Sequence, residues 1–121
     1  MELPLILQID RPQEFKRQIQ LRLEPTLPCF QGHFPMAPVL AGVVQLDWVM
    51  TLAAREFPVP LVFCGMQSVK FLNLTHPPVT LTLTLTLMPE RGLLNFIYQD
   101  TERTYSSGTI RVARLETAGE R

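Results

Sequence analysis

The residues best suited to chemistry are His33 and Asp47, which stands fourteen positions later. His33 lies in the segment 24–38, whose four prolines predict a stiff loop. Asp47 interrupts an apolar run that predicts a helix. A neutral imidazole can accept a proton near pH 7, and a carboxyl group in an apolar pocket can donate one because desolvation favours its uncharged form. The pair therefore predicts general acid–base catalysis.

Each of these residues also has a non-catalytic interpretation. A single histidine in a loop is more often structural than catalytic, and an aspartate in a helix can simply bind water. Cys29 is close to His33 in sequence, but no residue is placed to orient a Cys–His pair. We interpret His76, in Thr-His-Pro-Pro, as a turn residue and Trp48 as part of the core. The spacing of His33 and Asp47 together favours the catalytic interpretation.

Composition excludes several functional classes. The chain has 121 residues, 46% of them hydrophobic and 18% charged, which suits one folded domain over 1–121. Its formal net charge of zero gives no support for nucleic-acid or membrane-surface binding and mildly favours an oligomer. Two cysteines are too few for a disulfide framework, so we expect reduced thiols and a cytoplasmic location. We recognise no signal peptide, and Pro35, Pro38 and Asp47 argue against a membrane span.

The hydrophobic pattern predicts one helix and about five strands. The helix should begin near Gly42 and end before Pro58 and Pro60, and its apolar residues point in nearly every direction, which predicts burial. The run 79–87 alternates aliphatic residues with threonines, as a half-buried strand does. Arg17 interrupts the apolar face of an earlier alternating strand. Strands are predicted for 14–23, 61–73, 79–87, 93–99 and 104–115, with 1–12 as an extended arm or short edge strand and Gly108 as a bulge.

One helix that is apolar on all sides needs more cover than a flat small sheet provides. The economical arrangement is an α+β hotdog fold, a curved antiparallel sheet wrapped around one long buried helix, with its open side closed by a second copy.

Two parts of the sequence resemble one enzyme family. Gly32-His33-Phe34-Pro35, followed by Pro38-Val39, Gly42-Val43 and Asp47, resembles the active-site signature of hotdog-fold 3-hydroxyacyl-[acyl-carrier-protein] dehydratases. The later segments Val69–Leu72 and Ser107–Ile110 are similar to two strands of that family. The short length and the run 42–48 look most like the small dehydratases of aryl-polyene-type pathways. Three positions depart from the usual pattern: Met36 replaces glycine, Ala41 replaces proline, and Thr51 replaces a glutamine one turn after the acid.

The resemblance implies a hydro-lyase that needs no cofactor or metal. It makes His33 the base and Asp47 the acid, and it gives the backbone N–H of Gly42 the role of binding the thioester oxygen. Phe34, Met36 and Val43 would line the acyl-chain tunnel. The family places the histidine and the acid on different subunits, so it implies a homodimer with shared sites. Its partner would be acyl carrier protein, which is acidic and would need a basic docking patch. The available basic residues are Lys70, Arg91, Arg103, Arg111 and Arg114.

Two other functions remain open from the sequence. A hotdog thioesterase would use the helix acid to activate water and would not need His33. A non-catalytic subunit that binds acyl carrier protein or a partner would tolerate the departures at Met36, Ala41 and Thr51. Acyl chain length and the choice between identical and different subunits are not encoded in any motif that we recognise.

Overall fold

The computed structural model describes residues 2–31, 38–58 and 60–114. Its elements are strands β1 (Leu5–Gln13) and β2 (Lys16–Leu23), helix α1 (Gly42–Glu56), and strands β3 (Leu61–Phe71), β4 (Val79–Met88), β5 (Leu93–Gln99) and β6 (Thr104–Arg114). Short 3-10 turns occupy Pro28–Phe30 and Pro89–Arg91.

All six strands form one antiparallel sheet in the order β1-β2-β4-β5-β6-β3. The sequence predicted about five strands and left 1–12 as an extended arm or short edge strand. The structure makes this segment the sixth strand, β1, a nine-residue edge strand that pairs with β2. β1 tolerates Pro12 because it is an edge strand and its register shifts between Asp10 and Gln13. β1 and β3 are therefore the two edges of the sheet.

The core lies between one face of the sheet and one face of α1. Alternation in β4 turns Leu81, Leu83, Leu85 and Leu87 inward, where they are fully or almost fully buried. The helix contributes Trp48, Val49 and Leu52, which are at most 1% exposed. This packing fixes the rotation of α1 against the sheet and so decides which helical residues face outward.

The helix is buried on one side only, whereas its sequence predicted burial in all directions. Val43 is 70% exposed, and Asp47 and Ala54 are also exposed. These residues lie along one strip of the helix surface, since positions separated by four or seven share a face. The single sheet covers the opposite face and leaves this strip open.

Gly108 is not a bulge, contrary to prediction. It pairs in regular register with Val69 and Phe96, and the register shifts in β3 fall instead between Phe63 and Gly65 and between Met66 and Ser68. A Cβ atom at position 108 would lie 2.6 Å from the carbonyl oxygen of Ser68. Glycine is therefore required there by the close approach of neighbouring backbone.

Candidate active site

The amino terminus of α1 provides hydrogen-bond donors that are not used within the helix. The carbonyl of Ala41 accepts from the amides of Val44 and Gln45, both at 3.2 Å. Within the described residues, neither a backbone nor a side-chain group accepts from the amides of Gly42 and Val43. First-turn amides carry partial positive charge and can bind a negatively charged oxygen.

Gly42 also allows a close contact with an aromatic ring. A Cβ atom at position 42 would lie 2.7 Å from Cζ of Phe71. Phe71 ends β3 and is about half exposed, so part of its ring faces Gly42 and part faces solvent. The Phe71 ring therefore occupies the space that a side chain at position 42 would fill.

Three hydrogen bonds anchor the segment 38–40, which leads into α1. The amide of Leu40 donates to the carbonyl of Thr75 at 2.9 Å, and Nε2 of Gln45 donates to the carbonyl of Leu40 at 3.3 Å. Nδ1 of His76 lies 3.0 Å from the carbonyl oxygen of Pro38. Because a carbonyl can only accept, the proton sits on Nδ1 of His76. His76 lies between β3 and β4, where the sequence predicted a turn residue, and it also ties this turn to the helix entry.

Asp47 lies slightly more than one turn beyond Gly42, on the exposed strip of α1. Burial raises the pKa of the nearby Tyr98 hydroxyl well above its usual value, and the negative charge of Asp47 raises it further. Tyr98 therefore stays protonated and donates a 2.6 Å hydrogen bond to the backbone carbonyl of Gln45. The side chain of Asp47 is therefore accessible for a reaction, whereas the Tyr98 hydroxyl beneath the helix is buried and donates its proton to a hydrogen bond.

The structure places some of the predicted site residues together and does not describe others. Gly42, Val43 and Asp47 share the amino-terminal half of α1, with Val43 and Asp47 both facing outward. His33, Phe34 and Met36 lie outside the described residues, so the pairing of His33 with Asp47 stays a prediction.

A Cys–His nucleophile is disfavoured by the environment of Cys29. This thiol is partly buried, and burial raises its pKa above the usual value. A reactive cysteine needs the opposite shift, since the thiolate is the nucleophile.

Sequence reasoning missed Gln45, the most connected side chain near the site. It is 4% exposed and hydrogen-bonded through both ends of its amide. The available signal was a second polar residue two positions before Asp47 in an otherwise apolar segment, because buried polar groups require partners.

The six-stranded antiparallel sheet packed on one helix defines a hotdog fold. The family of ApeI-like proteins, described as ApeI dehydratase, matches residues 9–109. The chain belongs to this family and is a dehydratase, which confirms the resemblance drawn from its sequence.

Individual relatives agree with this assignment. The chain is 35% identical to 3-hydroxyacyl-[acyl-carrier-protein] dehydratase FabZ of Streptococcus pneumoniae over 96 residues, which cover 71% of this chain and 69% of that protein. Among solved structures it is similar to the dehydratase heterocomplex ApeI:P from Xenorhabdus doucetiae, with 37% identity, a TM-score of 0.88, and coverage of 93% of this chain and 100% of that one. An uncharacterized protein from Erwinia carotovora subsp. atroseptica has 34% identity and a TM-score of 0.83, with coverage of 94% and 98%.

None of the helices in the described part of the chain has the length and apolar character that a membrane span requires.

Proposed function

We propose that this dehydratase acts on a 3-hydroxyacyl thioester carried by acyl carrier protein and releases water to give the trans-2-enoyl thioester. The observation that carries the proposal is the outward-facing carboxyl group of Asp47, on the same helix as the unused amide of Gly42. The named activity of the Streptococcus relative supports the substrate class.

Each group has a distinct task in the reaction. His33 removes a proton from C2, and the electrons of that C–H bond pass toward the thioester carbonyl. The amide of Gly42 binds the oxygen on which negative charge develops. Asp47, in its protonated form, gives a proton to the C3 hydroxyl as the C3–O bond breaks. The electron pair then forms the C2–C3 double bond, and water leaves.

The exposed position of Asp47 in one chain fits a site that a second subunit completes. Strand β3 and the segment after it carry an apolar surface, which we name the β3 surface. It consists of Val62, Phe63, Met66, Phe71, Leu72 and Leu74, each at least 41% exposed. An open strand edge with large apolar residues is a template for pairing with another chain. We propose that two copies join their β3 edges about a twofold axis and cover the exposed strip of α1, which would place Asp47 between the two subunits.

A measurement of mass in solution tests this assembly. Sedimentation equilibrium should give about twice the 13.8 kDa of one chain. Met66→Lys, on the β3 surface, should shift the protein toward monomer, because it places a charge in an apolar contact. Leu7→Lys on the other edge strand is the matched control, since Leu7 is 49% exposed and Met66 is 51% exposed.

A different second subunit is the other candidate assembly, because the similar ApeI:P structure is a heterocomplex. A protein that remains monomeric at micromolar concentration, and gains activity only when a second hotdog chain is added, would replace the homodimer with this arrangement.

The activity test uses purified protein and 3-hydroxyacyl thioesters of acyl carrier protein, with loss of one water followed by mass spectrometry. His33→Ala should lower turnover by about 10²–10⁴-fold, the usual contribution of a general base. Release of free carrier thiol by wild-type protein and by His33→Ala alike would instead indicate a thioesterase. No conversion of any acyl chain tested would favour a non-catalytic partner subunit.

Docking of acyl carrier protein would require basic residues near the site entrance. Lys70, Arg91, Arg103 and Arg111 are exposed. Lys70 lies one residue before Phe71 near the end of β3, with its side chain on the opposite face of the sheet from α1. We propose Lys70 as a docking residue. Lys70→Glu should raise KM for the carrier-bound substrate and leave turnover of a short pantetheine thioester unchanged, whereas equal effects on both substrates would remove docking as its role.

A further inference from the structure

Gln45 connects α1 to three other parts of the molecule. The hydroxyl of Ser106 on β6 donates to Oε1 of Gln45 at 2.6 Å. Nε2 of Gln45 donates to the carbonyl of Leu40 at 3.3 Å, and the Tyr98 hydroxyl on β5 donates to the backbone carbonyl of Gln45 at 2.6 Å. One helical residue therefore holds the entry segment and both neighbouring strands.

The orientation of the Gln45 amide follows from its partners. The carbonyl of Leu40 can only accept a hydrogen bond, so the atom facing it must be the nitrogen. Oε1 then faces Ser106, whose hydroxyl donates. The opposite orientation would set two acceptor oxygens against each other, so a single arrangement of the amide satisfies both contacts.

Backbone hydrogen bonds set the direction of the Gly42 amide, and the Gln45 side chain holds the peptide before it. In a trans peptide the C=O and the following N–H point in opposite directions. The carbonyl of Ala41 accepts from the amides of Val44 and Gln45 in the first turn. The N–H of Gly42 therefore points away from the helix, beyond its amino-terminal end. The preceding peptide, Leu40–Ala41, is held by Nε2 of Gln45 on the Leu40 carbonyl. The peptide before that one is held by the carbonyl of Thr75, which accepts from the Leu40 amide.

A purely apolar residue could fill the space of Gln45 without the cost of desolvating an amide. Gln45 and Ser106 are both buried, at 4% and 0% exposure. A buried polar pair of this kind is explained when it sets a geometry that apolar packing cannot set, because hydrogen bonds have direction.

We propose that Gln45 is a positioning residue for dehydration, which acts through Leu40 to keep the N–H of Gly42 aimed at the thioester oxygen. This inference rests on the proposed function, and it extends the site to Ser106 on β6. Gln45 itself does not touch the substrate.

Steady-state kinetics of Gln45→Met test this role, because methionine matches glutamine in length and lacks its polar atoms. We expect kcat to fall at least tenfold and KM to stay within twofold, since a misdirected oxyanion donor weakens binding of the transition state more than binding of the substrate. Thr109→Val is the matched control. It removes a 2.8 Å side-chain hydrogen bond to Asn95 elsewhere on β6, and its kcat should stay within twofold of wild type.

Ser106→Ala provides a second test that does not depend on how Gln45→Met folds. Its kcat should fall by a smaller factor, about threefold, because Ser106 acts by holding the Gln45 amide. In the Gln45→Met background, Ser106→Ala should have no further effect on kcat, as expected for two residues in one chain of contacts. Multiplication of the two separate effects in the double variant would overturn this order of action.

The backbone amide signal of Gly42 in a 1H–15N spectrum gives a readout besides activity. It should shift in Gln45→Met and in Ser106→Ala, and it should stay in place in Thr109→Val. An unmoved Gly42 signal, or an unchanged kcat in a folded Gln45→Met protein, would overturn the positioning role alone. Absence of turnover in the wild-type protein would overturn the proposed function and this role together.

Discussion

In a single chain, one face of α1 is covered by the sheet and the opposite face is exposed. The face toward the sheet is closed: Trp48, Val49 and Leu52 are at most 1% exposed, and the Gln45 amide has a partner at each end. The opposite strip carries Val43 and Asp47 in contact with solvent. Residues that stabilise the fold and residues that could perform chemistry are therefore separated by rotation around one helix, and substitutions on the two faces should affect different measurements.

The largest effect should come from the open face. Asp47→Asn removes the proton donor and should lower kcat by about 10²–10⁴-fold, the range for a general acid. Its melting temperature should stay within a few degrees of wild type, because asparagine has nearly the same shape as aspartate and no other residue in the described part donates a hydrogen bond to this side chain. Turnover assays and calorimetry on the same preparation measure both quantities. A folded Asp47→Asn protein with full activity would show that the acid lies elsewhere.

The closed face should give the reverse result. Leu52→Ala leaves a cavity beneath the helix, where Leu52 is 1% exposed, and should lower the free energy of unfolding by about 2–5 kcal/mol. Activity per folded molecule should stay within a few-fold of wild type. Urea denaturation and active-site turnover at low temperature separate the two effects, and a large loss of kcat with little change in stability would contradict the division between faces.

Gly42 stands at the boundary between the two faces and should show an intermediate effect. In Gly42→Ala the new methyl group meets the Phe71 ring, which can move because it is about half exposed. Stability should change by less than about 1 kcal/mol, and kcat should fall about tenfold because the methyl group and the displaced ring occupy the approach to the Gly42 amide. Gly42→Ala/Phe71→Leu should recover part of the lost kcat. No recovery would indicate that the methyl group itself blocks the substrate.

The smallest effect should come from a contact away from α1. The hydroxyl of Tyr105 donates to Asp100 at 2.6 Å, and this hydrogen bond lowers the pKa of Asp100 in the folded protein. A lowered folded-state pKa stabilises the protein above the unfolded-state value, near 3.9, and this contribution is lost as pH falls through the folded value. Tyr105→Phe should therefore cost under about 1 kcal/mol at pH 7. The difference from wild type should shrink below about pH 4, as urea titrations at both pH values would show; a constant difference would exclude the carboxylate as its cause.

Local pattern predicted most of the elements because it reports local physics. The alternation in 79–87 and the proline pair after Phe57 gave β4 and the end of α1 within one residue. Arg17, which interrupts the apolar face of β2, could not be explained in the same way. Its guanidinium is buried and binds both the carboxylate and the backbone carbonyl of Glu56, a residue that is distant in sequence. Such contacts depend on how elements meet in three dimensions, and one sequence carries no local sign of them.

Prediction of the candidate site had the same limit, because contacts between elements distant in sequence could not be predicted. Asp47 was identified because a carboxylate stands out in an apolar helix, and Gly42 was identified through the resemblance to the dehydratase signature. The roles of Gln45 and Ser106 depend on β6 lying beside the first turn of α1, which the spacing of residues in the chain does not reveal. The exposed strip of α1 could not be predicted for a related reason, since an apolar helix surface that is exposed has the same composition as one that is covered.

The contrast between the two borders of the sheet limits how many chains can join. β3 offers an apolar border for strand pairing, while β1 has Pro12, which lacks an N–H, and two interruptions of its register. If both borders could pair, each chain would accept a neighbour on either side and the sheet would grow into an open filament. Pairing through β3 alone would end at a closed pair, as in the proposed homodimer. In that assembly, the irregular β1 border would keep the protein from polymerising through the kind of strand edge that the proposed dimer uses.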